Sequence, residues 1–403
     1  MNIRVALRHP FTPILLLFIA FRLMMLVTFL PEDLTHLGDY PYYYALAQLS
    51  DEGRWPFIGY WSEHAPLFPF LSTLIYRLSL LTPRGGYAAY VYLFGCAMLA
   101  FDVGSLWLLM RLGRRLWGEE RSLLLGWSYA LLFTPLIYSW WTFEGMTAFF
   151  ILLALDLLLA ERDSWSAVAA GLGVLTKLVP VVLVAAVVRA RPLRRWLRYG
   201  LIALGVVLAA LLPLVLAGGP YATAFFRSTV ARSSYETVWA LIDGNLGTGM
   251  LLPLMAHLDP AQAGRATGHA ARLPEWLKSG AFALLYLWLL WRADLRDAPR
   301  RLVAFVALSL VLFFLWSKGW SPQWQVFLFP LLLLALPYRR ALLWVLTLSA
   351  VNLAEWPVLL VHQLDQWLWV TILLRTALFI ALGYELWRVV RPSYSESGRL
   401  APQ

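Results

Sequence analysis

Apolar runs long enough to cross a bilayer recur along this chain, and short clusters of arginine are wedged between them. Phe11 to Leu30 and Tyr87 to Met110 are two such runs. About 20 apolar residues in helical form match a hydrocarbon core of about 30 Å. A segment in lipid must also satisfy its own backbone, so the pattern predicts spanning helices. The chain is 61% hydrophobic and 14% charged over 403 residues, whereas soluble domains carry roughly a quarter charged residues. The first run is too long, and lacks the small-residue cleavage site, to be a signal peptide. The net charge of +10 comes from evenly spaced arginine clusters, with Lys only at 177, 278 and 318. That placement is the positive-inside pattern of a membrane protein and argues against a nucleic-acid partner. The single cysteine, Cys96, excludes an internal disulfide.

The predicted fold is therefore all-α, a polytopic bundle of about 11–13 spans with both termini cytoplasmic. Arg4 and Arg8 hold the N-terminus inside, and the first span, near 11–30, leads to an outer loop over 31–86. Residues 66–82, short and broken by proline, read as an interfacial or re-entrant helix. Residues 87–110 return inward, and spans near 122–139 and 145–160 form a hairpin with Glu144 at its outer tip. A single span over 165–188 would put Arg189, Arg191, Arg194, Arg195 and Arg198 outside. Two half-length helices meeting near Lys177 to Pro180 keep them inside. Residues 199–217 lead to a second outer segment, 218–275. Further spans are expected near 276–291, 302–316, 323–337, 341–354 and 367–387. Residues 1–388 form one transmembrane domain, and 389–403 a polar cytoplasmic tail.

The polar residues of interest fall on the outer side. The first loop, THLGDYPYYYALAQLSDEGRWPFIGYWSEHAPLFPFL, holds more acids and aromatics than a connector or an interfacial belt requires. Asp39 precedes Tyr40-Pro41 and reads as a helix N-cap, a role worth about 1 kcal/mol. It is equally placed to act as a general base, held ionised by the helix N-terminus. Glu63 offers a second carboxylate for catalysis, and His64 is a candidate contact beside it. Neither has the three or four converging ligands a metal site requires, so no cofactor is expected and a divalent metal is disfavoured. Lys177, inside an apolar tract, costs roughly 2.5–3.5 kcal/mol at a helix centre unless it finds a counter-ion or an interface. It could grip a lipid-linked phosphate, as could Lys318 in WSKGWSPQW and the loop residues Arg227 and Arg232. Tyr43, Glu144, Trp239 and Gln323 complete the expected substrate contacts. Arg22, Asp102, Asp156, Arg375 and Glu385 lie within spans, where pairing that orients helices is the favoured reading.

These motifs together resemble the GT-C superfamily of polyprenyl-phosphate-sugar-dependent glycosyltransferases. The first-loop Asp39 is followed by YYYALAQL, then GRWPF and EHAPLF. GLGVLTKLVP resembles their Gly-rich, Lys-containing segment. SSYETVWALIDGNLGTG and SKGWSPQW are most similar to the mannosyltransferase-like proteins of glycosyltransferase family 87. The resemblance implies that Asp39 is the catalytic base, that Lys177 lies near the carrier phosphate, and that transfer is inverting and metal-independent. The implied partners are a polyprenyl-phosphate-linked hexose, with mannose favoured, and a glycan, lipid or protein acceptor. A secondary transporter or a lipid-linked-glycan flippase of about 12 spans is the alternative. It would place its function-sensitive residues at Arg22, Asp102 and Asp156 in mid-membrane.

Overall fold

The structure, a computed structural model, describes residues 10–391 apart from 36–37, 84, 135–136, 139–141, 248 and 250. Arg4, Arg8 and most of the expected tail lie outside the described residues. The described residues are helical, with no strand beyond isolated bridges such as that pairing Tyr235 with Gly319. The longer helices are α1 (Phe11–Thr28), α2 (Tyr40–Gln48), α3 (Leu67–Ser79), α4 (Gly86–Trp117), α5 (Glu119–Leu131) and α6 (Glu144–Leu159). They continue with α7 (Asp163–Thr176), α8 (Val182–Ala190), α9 (Leu193–Gly218) and α10 (Pro220–Ala231). The rest are α11 (Glu275–Arg292), α12 (Pro299–Trp316), α13 (Gln325–Ala335), α14 (Tyr338–Leu353) and α15 (Leu368–Val390).

Six helical segments are long and apolar enough to cross a membrane: α1, α4, α9, α12, Tyr338–Leu359 and Asp365–Val390. The protein is a multi-pass membrane protein. Most of the other helices of the bundle are shorter, α11 at 18 residues being as long as α1, and the expected hairpin also differs. Helix α5 ends at Leu131 with Leu132 extended, so the expected span over 122–139 is interrupted there, and helical backbone resumes at Phe133. The short helices survive because protein surrounds them. Every residue of α13 is buried, so its end must find donors inside the bundle. The arginine clusters supply them. Arg300 donates to Ala335 O at 2.8 Å and Arg121 to Leu336 O at 2.9 Å. Arg189 likewise donates to Ala293 O at 2.7 Å, just past α11. These arginines thus cap helix C-termini, a use the charge pattern alone does not reveal.

The intramembrane charges are paired. Arg22 meets Asp102 with both side chains buried, and Tyr129 adds a hydrogen bond to Asp102 at 3.1 Å. Asp156 takes Arg111 at 3.1 Å, Glu355 takes Arg375, and Glu385 takes Arg340 at 3.5 Å. The helix-orienting reading of these residues therefore holds.

The expected break at Lys177 is present. Helix α7 stops at Thr176, Lys177 is extended (φ −159°, ψ 143°), and a 3-10 turn over Val179–Val181 leads into α8. Pro180 cannot donate to the Thr176 carbonyl, so the helix cannot continue through it. Gly173 lets the second half fold against the first: a Cβ there would lie 3.0 Å from Pro180 Cβ and 3.1 Å from Phe150 Cβ. The break delivers Lys177 to the N-terminus of α6, on the same face of the bundle as the loop after α1.

Candidate active site

Asp39 occupies the N-cap position of α2, with Pro41 in the first turn, but its side chain makes no cap hydrogen bond. It accepts instead from Tyr43 Oη at 3.2 Å, one helical turn along. Burial, above all, raises the Asp39 pKa, and the Glu144 and Glu63 carboxylates push the same way against Tyr43 and Arg232. The pull of the helix N-terminus is thus not the only influence on Asp39. Desolvation outweighs the helix end, and the result is a more basic carboxylate.

Tyr43 anchors the wall behind Asp39. Its ring packs edge-on against Phe68 at 4.7 Å and His64 at 5.5 Å. Phe68 in turn stacks on Phe143 at 4.0 Å. Phe143 precedes Glu144, the first residue of α6, which is buried and only 2% exposed rather than standing at an open tip. Glu144 Oε1 accepts from Lys177 Nζ at 2.6 Å, and Lys177 lies over the Trp324 ring at 4.7 Å. The cost of placing lysine in an apolar tract is met by this counter-ion and these rings.

A second ion pair lies beside the first. Arg232, just past α10, pairs with Glu63, whose side chain is 4% exposed. Burial lowers the Arg232 pKa, but Glu63 and Tyr235 more than offset it, so the guanidinium stays charged. His64 is driven well below its ordinary pKa by burial and then by Arg232, Lys177 and His257, which keeps it neutral. Its Nε2 is buried with no hydrogen-bond partner among the described residues.

The structure thus brings Asp39, Tyr43, Glu63, His64, Glu144, Lys177 and Arg232 into one cluster. Gln323 sits half-buried in the turn over Pro322–Trp324, next to the Trp324 that underlies Lys177. Lys318 is at the margin. Its Nζ donates to Val230 O at 2.6 Å, and burial lowers its pKa, with Arg232 among the charges it feels. Two expected contacts lie elsewhere. Arg227 is exposed on α10 and among the described residues donates to Pro220 O at 3.5 Å. Trp239 donates to Leu315 O at 2.8 Å and packs over Lys278, which fixes the loop to α12. Among the described residues no group of three or more His, Cys, Asp or Glu is arranged to hold a metal.

His257, from the aperiodic part of the second loop, is a residue the sequence did not single out. It is fully buried, its Nδ1 lies 2.7 Å from Trp61 O, and Tyr42 Oη meets its Nε2. The carbonyl can only accept, so Nδ1 carries the proton and Tyr42 donates to Nε2. Burial lowers the His257 pKa. Tyr235 is similarly unexpected. Its backbone pairs with Lys318 and Trp320, and its ring leaves no room for a side chain at Gly319, where a Cβ would fall 2.2 Å from the ring. Both residues are recruited across long sequence separations, which no local pattern encodes.

A family model for glycosyltransferase family 87 matches residues 68–317, more than half of the chain. The chain belongs to glycosyltransferase family 87. This family-87 protein is therefore a membrane glycosyltransferase, which sets aside the transporter and flippase readings. The matched region contains Glu144, Lys177, Arg227, Arg232 and Trp239, whereas Asp39, Glu63 and His64 precede it and Lys318 and Gln323 follow it. No curated protein matches the chain. Among solved structures, the family-87 chain is similar to ArnT from Cupriavidus metallidurans, crystallised bound to undecaprenyl phosphate. The identity is 15% over 93% of this chain and 76% of that one, with a TM-score of 0.45.

Proposed function

We propose that this protein transfers a hexose, with mannose favoured, from a polyprenyl-phosphate carrier to an acceptor hydroxyl at the extracytoplasmic face, with Asp39 as general base. The observation that carries this reading is the meeting of one half-buried carboxylate of raised pKa with two anchored cations at a helix break on the loop face. In a lipid-phosphate sugar the leaving group is already a stable phosphate and needs no general acid. What remains is to take the acceptor proton, typically worth about 10²–10⁴-fold, and to stabilise charge gathering on the phosphate. Asp39 suits the first task. Lys177, with Arg232 nearby, suits the second without a divalent cation. Glu63 fixes Arg232, and the Tyr43, Phe68 and Phe143 rings form an apolar wall for the sugar. The arginine-capped opposite face supports placing both termini in the cytoplasm.

The test uses purified protein in lipid nanodiscs with a panel of radiolabelled polyprenyl-phosphate hexoses, scoring transfer and hydrolysis. One donor is expected to turn over, and Asp39→Asn to lose about 10²–10⁴-fold of that rate. A folded Asp39→Asn variant as active as wild type would remove Asp39 from the chemistry.

A further inference from the structure

The cation placed at the carrier phosphate already has a partner. Lys177 Nζ donates to Glu144 Oε1 at 2.6 Å, and the rings of Trp324, Phe143 and Phe327 surround it at 4.7, 5.5 and 5.8 Å. Glu144 is buried, and its Oε2 has no hydrogen-bond partner among the described residues. An ammonium group has three donors, so one is committed to Glu144 and two remain for phosphate oxygens. The other charged groups around the pair are Asp39, Glu63 and Arg232, with His64 neutral. Counting Asp39, Glu63 and Glu144 against Lys177 and Arg232, the ionised site holds one acid in excess.

Transfer changes the charge that this site must hold. The acceptor oxygen forms a bond to the anomeric carbon, and its proton passes to Asp39. The bond from that carbon to the phosphate oxygen breaks, leaving its electron pair on the phosphate. A phosphodiester donor carries one negative charge. The lipid phosphomonoester left behind carries about −1.5 to −2 at pH 7. The second charge therefore develops at a lysine whose other neighbour is a buried carboxylate.

We propose that Glu144 is a specificity-determining residue, which makes the Lys177 site favour the singly charged donor over the more highly charged lipid phosphate product and so promotes product release. The proposal rests on the donor reading above. Like charges sharing one lysine repel strongly where burial limits screening. Because Glu144 acts on the product more than on the donor, its neutralisation should alter the ratio of the two affinities, which a merely structural role would leave unchanged.

The experiment measures binding of a polyprenyl monophosphate and of its hexosyl ester to the whole protein in nanodiscs at pH 6 and pH 8. Single-turnover and steady-state transfer are followed alongside. Glu144→Gln is expected to bind the monophosphate roughly tenfold more tightly, with the ester changing by less than about threefold. Its steady-state rate should fall by more than its single-turnover rate, the difference being product inhibition. Wild-type affinity for the monophosphate should weaken from pH 6 to pH 8, as the second phosphate charge forms, and this loss should shrink in Glu144→Gln. Glu144→Asp, which keeps the charge, should retain the wild-type preference. Equal weakening of both ligands by Glu144→Gln would overturn the proposal and leave Glu144 a structural partner of Lys177. Lys177→Ala separates the two levels: if it leaves monophosphate binding unchanged, the phosphate reading of the site itself fails.

Discussion

Two of the buried ion-pair groups among the described residues differ in charge balance. In the bundle, Arg22 and Asp102 match one to one, with side-chain exposures of 0% and 1%, and the Phe18 ring lies 3.3 Å from the guanidinium carbon. At the loop face, Lys177 with Glu144 and Arg232 with Glu63 share their surroundings with a third acid, Asp39. A balanced pair joins helices and leaves no carboxylate over. A cluster with an acid left over keeps one carboxylate poised to take a proton. Burial of charge alone therefore does not mark a site. What sets the loop-face cluster apart from the Arg22–Asp102 pair is its third acid, Asp39, shifted upward by burial and lying beside two cations.

This comparison can be broken by mutation. The largest stability effect is expected at the balanced pair. Arg22→Ala leaves Asp102 buried without its cation and should cost about 3–5 kcal/mol, read as a lower unfolding midpoint. Replacing both together, Arg22→Met with Asp102→Leu, should recover most of that loss with transfer per folded molecule unchanged. A strong loss of transfer in a stable double variant would show that the bundle pair shares in the chemistry.

The second expectation concerns pH. The base must be ionised, so a raised Asp39 pKa moves the acidic limb of the transfer profile above the ordinary carboxylate value of 3.8, and activity falls as pH drops through it. Glu144→Gln removes one of the charges that raise it and should shift that limb downward. The stability sign is the reverse of the usual aspartate case. A raised folded-state pKa favours folding at low pH, and that contribution is lost as pH rises through the shifted value. Asp39→Asn should accordingly melt higher than wild type at neutral pH while losing transfer, the trade-off expected of a desolvated base. An unchanged or lower melting point would contradict it.

The smallest effect is expected at Arg227. It is exposed on α10 and outside the cluster, so Arg227→Ala should change stability by no more than about 0.5 kcal/mol and leave transfer nearly intact. A large loss would extend the site along α10.

Much of the architecture was legible because lipid imposes local rules. Apolar length, arginine placement and the proline after Lys177 each constrain a short stretch of chain, and each led to the observed helices or the observed break. The break after Leu131 was missed although Pro135, four residues on, has no backbone N–H to offer the Leu131 carbonyl, the same local signal that was read at Pro180. The helical start at Tyr40 was equally local, but the state of Asp39 was not. Its pKa follows from burial by residues far along the chain, and it contradicts what the helix end alone suggests.

By itself, then, the sequence determined that this is an all-helical membrane protein, and it pointed to the loop acids and to the lysine at the helix break. Only the tertiary structure decided which of them meet. Glu144 lies 33 residues before Lys177, and Arg232 169 residues after Glu63. His257 reaches Tyr42 across 215 positions. Helical periodicity and charge placement act over a few turns. A carboxylate's partner and its distance from water are set by which helix ends the fold brings together.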